Sequence, residues 1–151
     1  MMSSLTHAAF LVAYDEALIA YEQNEVPVGA CIAYNGEIIA RSHNQVRQLK
    51  NSTAHAELLV INEASKILNS EKLTDSDLYT TLEPCTMCSG AAILARVKSV
   101  QTLALETKIP AFRSISMSGS HNHFPFFIHH SDNTFEYETL LKKFFKEKRS
   151  I

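Results

Sequence analysis

The sequence predicts an α/β fold with three layers, α/β/α, in which a central mixed sheet carries helices on both faces. The order of the predicted elements is helix–strand–strand–helix–strand–helix–strand, followed by a weakly patterned stretch and a closing helix. The dipeptide Asn35-Gly36 between two apolar runs is a strong signal for a tight β-hairpin. With 46% hydrophobic and 20% charged residues over its length, the chain is expected to form one soluble domain, residues 1–151.

A helix and a β-hairpin are predicted first. Apolar residues recur at helical spacing through residues 5–23, which gives that helix one buried stripe. The apolar run 28–34 is typical of a buried strand, and residues 37–43 return after the turn as the second strand. Cys31, in the middle of the first strand, is expected to be a small core residue rather than a reactive thiol.

The next two helices are predicted from apolar spacing and from their flanking residues. A polar loop over 44–52 leads to Thr53, the expected N-cap of a helix over 54–68. A short strand, residues 78–82, precedes a helix over 86–95, and a further strand follows over 97–105. The apolar faces of the two helices are predicted to carry Leu58, Ile61, Ala64 and Ile67 or Leu68, and Met87, Ala91 and Leu94.

The remainder of the chain has a weaker pattern. Residues 124–128 could form an edge strand or an aromatic cover over a pocket. Four histidines, His121, His123, His129 and His130, could form a second metal site, but their spacing fits no helical ligand pair and loop histidines are common. Residues 134–149 are predicted to form an amphipathic helix whose basic end either complements the helix dipole or binds RNA phosphates.

Two short stretches place metal-type side chains at the starts of two predicted helices. They are Thr53-Ala54-His55-Ala56-Glu57 and Glu83-Pro84-Cys85-Thr86-Met87-Cys88, which read H-x-E and P-C-x-x-C. One imidazole and two thiolates can bind zinc, and three protein ligands leave a fourth position for water, as in catalytic sites. Pro84 suits the first turn of a helix, whose positive end favours thiolates.

The spacing predicts a site between two helix N-termini, with zinc held by His55, Cys85 and Cys88. Side chains tilt toward the N-terminus of a helix, so His55 and Glu57 can both reach the site from the first turn. Glu57 would then be no ligand; it would take a proton from the water at the open zinc position and pass it to a leaving amine. Alone, the cysteine pair would also fit a redox protein or half of a structural zinc site.

Composition and charge disfavour several classes of protein. Three cysteines, two of them in the predicted zinc site, argue against a disulfide framework and for a reducing compartment, which predicts a cytoplasmic location. We expect no membrane association, because no apolar run is long enough to span a bilayer, and no secretory signal is apparent. The formal net charge of −2 gives no global attraction to nucleic acid, so RNA binding would need a local basic patch.

With these residues in view, the chain resembles the cytidine deaminase superfamily, whose zinc-dependent members carry H-x-E followed by P-C-x-x-C. Within it, the chain looks most like bacterial tRNA-specific adenosine deaminases, which convert the wobble adenosine of a tRNA anticodon to inosine. The strings that carry this resemblance are Asn24-Glu25-Val26-Pro27-Val28-Gly29-Ala30, Leu82-Glu83-Pro84-Cys85-Thr86-Met87-Cys88 and Leu140-Leu141-Lys142-Lys143-Phe144-Phe145. The resemblance covers residues 8–104 and 134–149.

The resemblance implies a cytidine-deaminase-like fold, one zinc ion (Zn2+) per chain and a homodimer in which the partner subunit helps to shape the substrate groove. It implies that Asn44, Val28 and Ala56 contact the base and that the backbone N–H of Cys85 holds the reacting oxygen. Glu106 would take the place of an Asp of the family close to the substrate. Possible RNA contacts are Lys108, Lys142, Lys143, Lys146 and Arg149.

One segment departs from the family pattern and leaves the substrate open. After Glu106 and Lys108, the residues Pro110, Phe112 and Arg113 stand where the family has a turn of small residues. The alternatives to the anticodon stem-loop of a tRNA are a small-molecule nucleobase or nucleotide of the guanine, cytosine or deoxycytidylate type. A non-catalytic RNA-binding subunit is a further alternative, against which the intact set of zinc-type residues and Glu57 argues.

Overall fold

The computed structural model describes residues 2–115, 123–131 and 133–149. Five strands form one mixed sheet in the order β2-β1-β3-β4-β5. β1 pairs antiparallel with both β2 and β3, whereas β4 pairs parallel with β3 and β5. The strands are β1 (Gly29–Tyr34), β2 (Glu37–His43), β3 (Ser76–Leu82), β4 (Ser99–Ala104) and β5 (Phe126–His129); the helices are α1 (Ser4–Glu22), α2 (Ala56–Leu68), α3 (Thr86–Ala95) and α4 (Tyr137–Arg149).

Both faces of the sheet are buried, which confirms the three-layer prediction. Ala30 and Ile32 of β1 lie in the core that includes residues of α2 and α3. Cys31, between them, lies in a separate core with Phe10 of α1 and Tyr137 of α4. Because successive side chains of a strand point to opposite faces, this alternation places helices on the two sides of the sheet.

The predicted hairpin is confirmed, and its turn explains its sequence. β2 has the predicted bounds, and Asn35 and Gly36 have φ values of 50° and 78°. Two successive residues with positive φ match the twist of an antiparallel pair, and asparagine and glycine adopt that conformation at low cost. The hairpin therefore delivers β2 directly into the loop that approaches α2.

The start of α2 differs from the prediction. The helix begins at Ala56 with His55 as its N-cap, two residues later than predicted. Thr53 is not the cap, because its hydroxyl and its N–H both donate to Oδ1 of Asn51, at 2.8 and 2.9 Å. The buried face is also shifted: Val60 is fully buried, whereas Leu58 is half-buried and Ile67 is exposed.

The predicted apolar face of α3 is wrong, although the bounds of the helix are correct. Leu94 is 70% exposed and Met87 is 38% exposed, and the buried residues include Cys88, Ser89 and Ala92. The buried face of α3 is thus made largely of small side chains, and spacing arguments that follow the larger residues miss such a face. Pro84 precedes the N-cap Cys85 rather than lying in the first turn.

The last part of the described chain adds a fifth strand and the closing helix. β5 is an edge strand, which is one of the two structures predicted for residues 124–128. Its Phe127 ring stacks on Phe112 with centroids 5.0 Å apart, while Phe126 is exposed. The closing helix begins at Tyr137, three residues later than predicted, after a short 3₁₀ turn over 133–135.

In the part of the chain that the structure describes, no helix is both long and apolar enough to cross a membrane.

Cys31 is expected to resist alkylation in the folded protein. It is fully buried, its thiol donates to the backbone carbonyl of Ala9 at 3.2 Å, and burial raises its pKa to about 12. Because the thiolate is the reactive form, iodoacetamide at pH 8 should leave Cys31 unmodified until a denaturant is added. Peptide mass spectrometry measures this, with the half-buried Cys85 in chelator-treated protein as the reactive control. Modification of Cys31 in native protein would contradict the burial described here.

Candidate metal centre

Three metal-type side chains meet between the N-termini of α2 and α3. His55 is the N-cap of α2, Cys85 is the N-cap of α3, and Cys88 lies in the first turn of α3. Nδ1 of His55 is 3.6 Å from Sγ of Cys85 and 3.5 Å from Sγ of Cys88. All three donor atoms lie within 4.8 Å of one another, and among the described residues they form the one group of three or more metal-type side chains.

The distances between these donor atoms fit zinc. Zinc–sulfur and zinc–nitrogen bonds of about 2.3 and 2.0–2.1 Å, at a tetrahedral angle, separate nitrogen from sulfur by about 3.6 Å. Both His55–cysteine distances match this separation. The donor set contains one nitrogen and two sulfurs, which are ligand types that zinc prefers. The predicted position of the site between two helix N-termini is therefore observed.

The thiols interact strongly with each other and with the imidazole. A hydrogen bond from Cys88 lowers the pKa of Cys85 to about 4, and the same bond raises the pKa of Cys88. The contact with Cys85 also raises the pKa of His55. The N-terminus of α3 adds a positive field that favours thiolate at Cys85. The cluster therefore holds one thiolate readily, and a divalent cation would stabilise the second.

Glu57 lies in the first turn of α2 and is buried beside the three donors. Its side chain is only 4% exposed, and burial raises its pKa to about 7, against the opposing effects of a backbone hydrogen bond and of His55. It is not part of the donor cluster. A carboxyl group in this position can hold or release a proton near neutral pH.

Three residues implied as base contacts surround the N-terminus of α2. Oδ1 of Asn44 accepts the N–H of Ala56 at 2.8 Å, and the N–H of Asn44 donates to the carbonyl of Val28 at 3.1 Å. With its oxygen engaged, the Asn44 side chain can offer its amide N–H groups to a ligand. Tyr137, at the start of α4, donates to the carbonyl of Pro27 at 2.7 Å and so supports the backbone next to Val28.

A buried carboxylate that the sequence did not single out anchors the loop between β2 and α2. Glu25 is 2% exposed, and its oxygens accept the N–H of Arg47 at 3.1 Å and the N–H of Gln48 at 2.9 Å. This loop carries Asn44 at one end and His55 at the other. Glu25 therefore fixes the path of the chain between two residues of the site.

Replacing Glu25 with alanine is expected to lower the free energy of unfolding by about 2–4 kcal/mol. The N–H groups of Arg47 and Gln48 would lose a charged acceptor, and such hydrogen bonds contribute about 1.5–3 kcal/mol each, a cost that water partly offsets because both residues are exposed. Urea denaturation measures the change, and Glu22→Ala, at an exposed position of α1, is the matched control. Equal stability of the two variants would show that the Glu25 hydrogen bonds contribute little.

A second buried carboxylate, Glu83, binds the segment that follows β4. It accepts the N–H of Glu106 at 3.0 Å, the N–H of Arg113 at 2.9 Å and Nε of Arg113 at 2.9 Å. The side chain of Glu106 binds the backbone of its own loop, because its Oε1 accepts the N–H groups of Thr107 and Lys108. Its implied substrate role stays a prediction.

The late histidines bind separate partners in the described residues. Nε2 of His123 is 2.8 Å from the carbonyl of Val97, and Nε2 of His129 is 3.2 Å from the carbonyl of Leu103. His130 contacts the side chain of Gln101 at 2.8 Å. His121 lies outside the described residues. The three described histidines do not form the second metal site that was left open as an alternative.

The basic residues implied as RNA contacts lie along α4 and the segment after β4. Nζ of Lys108 is 4.8 Å from the centre of the Phe145 ring, which brings the two segments together. Lys142, Lys143 and Lys146 are exposed, whereas the side chain of Arg149 lies outside what the structure describes. We call Lys108, Lys142, Lys143 and Lys146 the basic surface, and their role in binding RNA stays a prediction.

Comparison with known protein families identifies the chain. The model of the family "cytidine and deoxycytidylate deaminase zinc-binding region" matches residues 3–104. The chain belongs to this deaminase family. Its cluster of His55, Cys85 and Cys88 fits the zinc-binding region for which this family is named.

Relatives of the chain include proteins named tRNA-specific adenosine deaminases. One from Agrobacterium fabrum is 40% identical over 98% of this chain and 98% of its own length. One from Aquifex aeolicus is 53% identical over 64% of this chain, and the match spans 64% of that relative. Among solved structures, a tRNA:A34 deaminase is 37% identical with a TM-score of 0.77, covering 82% of this chain and 98% of the other. A guanine deaminase from Bacillus subtilis is 28% identical with a TM-score of 0.66, covering 99% and 96%.

Proposed function

We propose that this deaminase hydrolyses the C6 amine of the wobble adenosine in a tRNA anticodon and leaves inosine. The observation that carries deamination is the zinc-type cluster with buried Glu57 beside it. The 40% identity to the Agrobacterium fabrum enzyme over nearly the whole of both chains supports the tRNA substrate. A cytoplasmic location, where tRNA is found, is part of this proposal and agrees with the three free cysteines.

The family resemblance implies the roles of the site residues, and their positions support these roles. His55, Cys85 and Cys88 hold the zinc ion, which when bound supplies a Lewis acid that makes water nucleophilic near neutral pH. Glu57 takes the proton that the attacking water loses and delivers it to the departing amine, so that ammonia leaves. The N–H of Cys85, at the N-terminus of α3, donates to the oxygen that becomes negative. Asn44, Val28 and Ala56 hold the base against the first turn of α2.

The phosphates of the RNA would bind the basic surface formed by Lys108, Lys142, Lys143 and Lys146. The formal net charge of the chain is −2, so attraction to RNA has to come from a local group of cations such as this one. The contact of Lys108 with the ring of Phe145 joins the segment after β4 to α4, which supports binding of one RNA backbone by both segments.

A homodimer is part of the proposal. The exposed face of α3 presents Met87 and Leu94, which are 38% and 70% exposed, and α2 exposes Ile67. These are the helices that carry the zinc donors, so a second copy packed on them would lie close to the site. Sedimentation of wild-type protein and of Leu94→Lys measures the dimer, and Ile128→Lys on β5 is the control at another exposed apolar residue.

The second substrate class is a free base. The Bacillus subtilis guanine deaminase aligns with 99% of this chain, and the Agrobacterium fabrum tRNA-specific enzyme aligns with 98%. Coverage therefore leaves the segment after Glu106 compatible with either substrate. Salt separates the two substrates, because RNA binding weakens steeply with ionic strength and binding of a small neutral base does not.

The test incubates zinc-loaded protein with an anticodon stem-loop that bears a wobble adenosine, and separately with free bases and nucleotides that include guanine. Inosine in the digested stem-loop, measured by mass spectrometry, is the expected result, with a KM that rises steeply with salt. Ammonia released from a free base while the RNA stays unchanged would overturn the tRNA substrate and leave the deaminase assignment standing.

A further inference from the structure

The loop after β4 is held at both ends by one buried side chain. We define residues 106–113 as the rim loop. Glu83, whose side chain is 0% exposed, receives the N–H of Glu106 at the start of the rim loop and the N–H of Arg113 at its end. One carboxylate therefore closes the whole rim loop, and both N–H groups depend on it as their acceptor.

The side chain of Arg113 also links the two ends of the rim loop. Its Nε donates to Oε1 of Glu83 at 2.9 Å, and its Nη2 donates to the carbonyl of Glu106 at 3.0 Å. The planar guanidinium thus spans both ends of the rim loop. A buried carboxylate without a cationic partner is unfavourable, so Arg113 also stabilises the charge of Glu83.

The rim loop is attached to the end of α3 where Cys85 lies. Ala111 forms a β-bridge with Cys85, the N–H of Phe112 donates to the carbonyl of Pro84 at 3.0 Å, and the hydroxyl of Thr86 donates to the carbonyl of Pro110 at 3.2 Å. Because Cys85 is only half-buried and Thr86 is exposed, this end of α3 faces solvent. The rim loop therefore forms part of the edge of the site.

The exposed apex of the rim loop carries groups suited to a polynucleotide. Residues 107–110 are all exposed, and Lys108 lies over the ring of Phe145 on α4. Through that contact the apex joins the basic surface of α4. Holding the apex in one position would let Lys108 and the lysines of α4 meet successive phosphates without first ordering the loop, which would otherwise cost binding energy.

We propose that Glu83 and Arg113 are positioning residues for substrate recognition, which hold the rim loop so that its apex meets the phosphates of a polynucleotide substrate. The inference rests on the proposed function for its substrate class. Neither residue belongs to the donor cluster, so their effect is expected on KM rather than on kcat.

The test compares Arg113→Ala with Arg41→Ala, a control of nearly identical geometry. Arg41 pairs through Nε with Glu16 at 3.0 Å and is 48% exposed, whereas Arg113 pairs with Glu83 at 2.9 Å and is 49% exposed. We expect Arg113→Ala to raise KM for the stem-loop by about tenfold or more with kcat within about twofold and zinc content unchanged. Arg41→Ala should leave KM unchanged.

A second variant separates positioning from direct contact. Arg113→Lys keeps the charge but lacks the planar fork whose two nitrogens bind Glu83 and the carbonyl of Glu106, so it is expected to behave like Arg113→Ala. Full recovery of KM in Arg113→Lys would mean that Arg113 contacts phosphate directly and would overturn the positioning role. A lower kcat together with a lower free energy of unfolding, without any change in KM, would overturn it as well.

Amide hydrogen exchange gives a readout that needs no substrate. The N–H of Glu106 should exchange faster in Arg113→Ala and in Glu83→Gln, while the N–H groups of Arg47 and Gln48, which bind Glu25, should not change. Unchanged exchange at Glu106 would overturn the proposal. If wild-type protein leaves the stem-loop unmodified, the proposed function fails, and this exchange measurement still accepts or rejects the closure by Glu83 and Arg113.

Discussion

Replacing Glu57 with alanine is expected to slow deamination by about 10²–10⁴-fold while zinc stays bound. This is the range by which a positioned acid–base group accelerates proton transfer. Glu57 is buried next to the donor cluster without being part of it, so its loss removes the proton carrier and leaves the three donors in place. Steady-state rates and zinc content per chain, measured on the same preparation, check both halves of the expectation.

Glu63→Ala is the matched control for this experiment. Glu63 lies on the same helix and is exposed, so its removal should change neither the rate nor the zinc content. Glu57→Gln, which fills the same volume, separates the loss of the proton carrier from the effect of an empty space. Deamination at the wild-type rate by zinc-loaded Glu57→Ala protein would remove Glu57 from the mechanism.

Replacing Gly29 with alanine is expected to lower the free energy of unfolding by about 3 kcal/mol or more, the upper end of overpacking costs. A Cβ at this position would lie 1.9 Å from the carbonyl oxygen of Ala13 and 2.5 Å from the nitrogen of Ala17. Both atoms belong to the backbone of α1, so the helix would have to move away from β1. Such a loss is a large share of the 5–15 kcal/mol by which domains are usually stable.

Gly90→Ala is the matched control and is expected to have the opposite sign. Gly90 lies inside α3, and a Cβ there would meet no heavy atom within 4 Å. Alanine in a helix interior is favoured over glycine by about 0.5–1 kcal/mol, so this variant should be slightly more stable. Urea denaturation of the two variants beside wild type measures both changes. Similar stability of the two would show that α1 and β1 adjust easily around position 29.

The sequence was sufficient to predict the metal centre and the elements whose apolar residues repeat with a clear period. The hairpin followed from Asn35-Gly36, and the convergence of His55, Cys85 and Cys88 followed from their positions at helix starts. The error at Thr53 has a local cause, because Asn51 competes for its hydroxyl. α3 is a helix of ten residues with many small side chains. Its predicted buried face was wrong because the prediction followed the larger apolar residues.

The buried carboxylates could not be predicted from spacing. Glu25 and Glu83 each bind backbone N–H groups of a loop more than twenty residues later, and nothing local in the sequence indicates that partner. The available signal was that each carboxylate stands beside apolar residues and shortly before a proline, inside a string that carried the family resemblance. A charged residue that is buried almost always has hydrogen-bonding or charged partners.

The pairing of β1 with β3 sets the time at which a newly made chain can complete its sheet and its metal centre. Its hairpin with β2 can close within about 1–10 μs, but its other edge must wait for β3, where Ala30 pairs with Thr80. At a synthesis rate of about 5–20 residues per second, the ribosome needs several seconds to reach that strand. During this interval an apolar strand has one open edge, and His55 has no cysteine partner. Chaperone demand and metal acquisition should therefore both depend on the docking of β3.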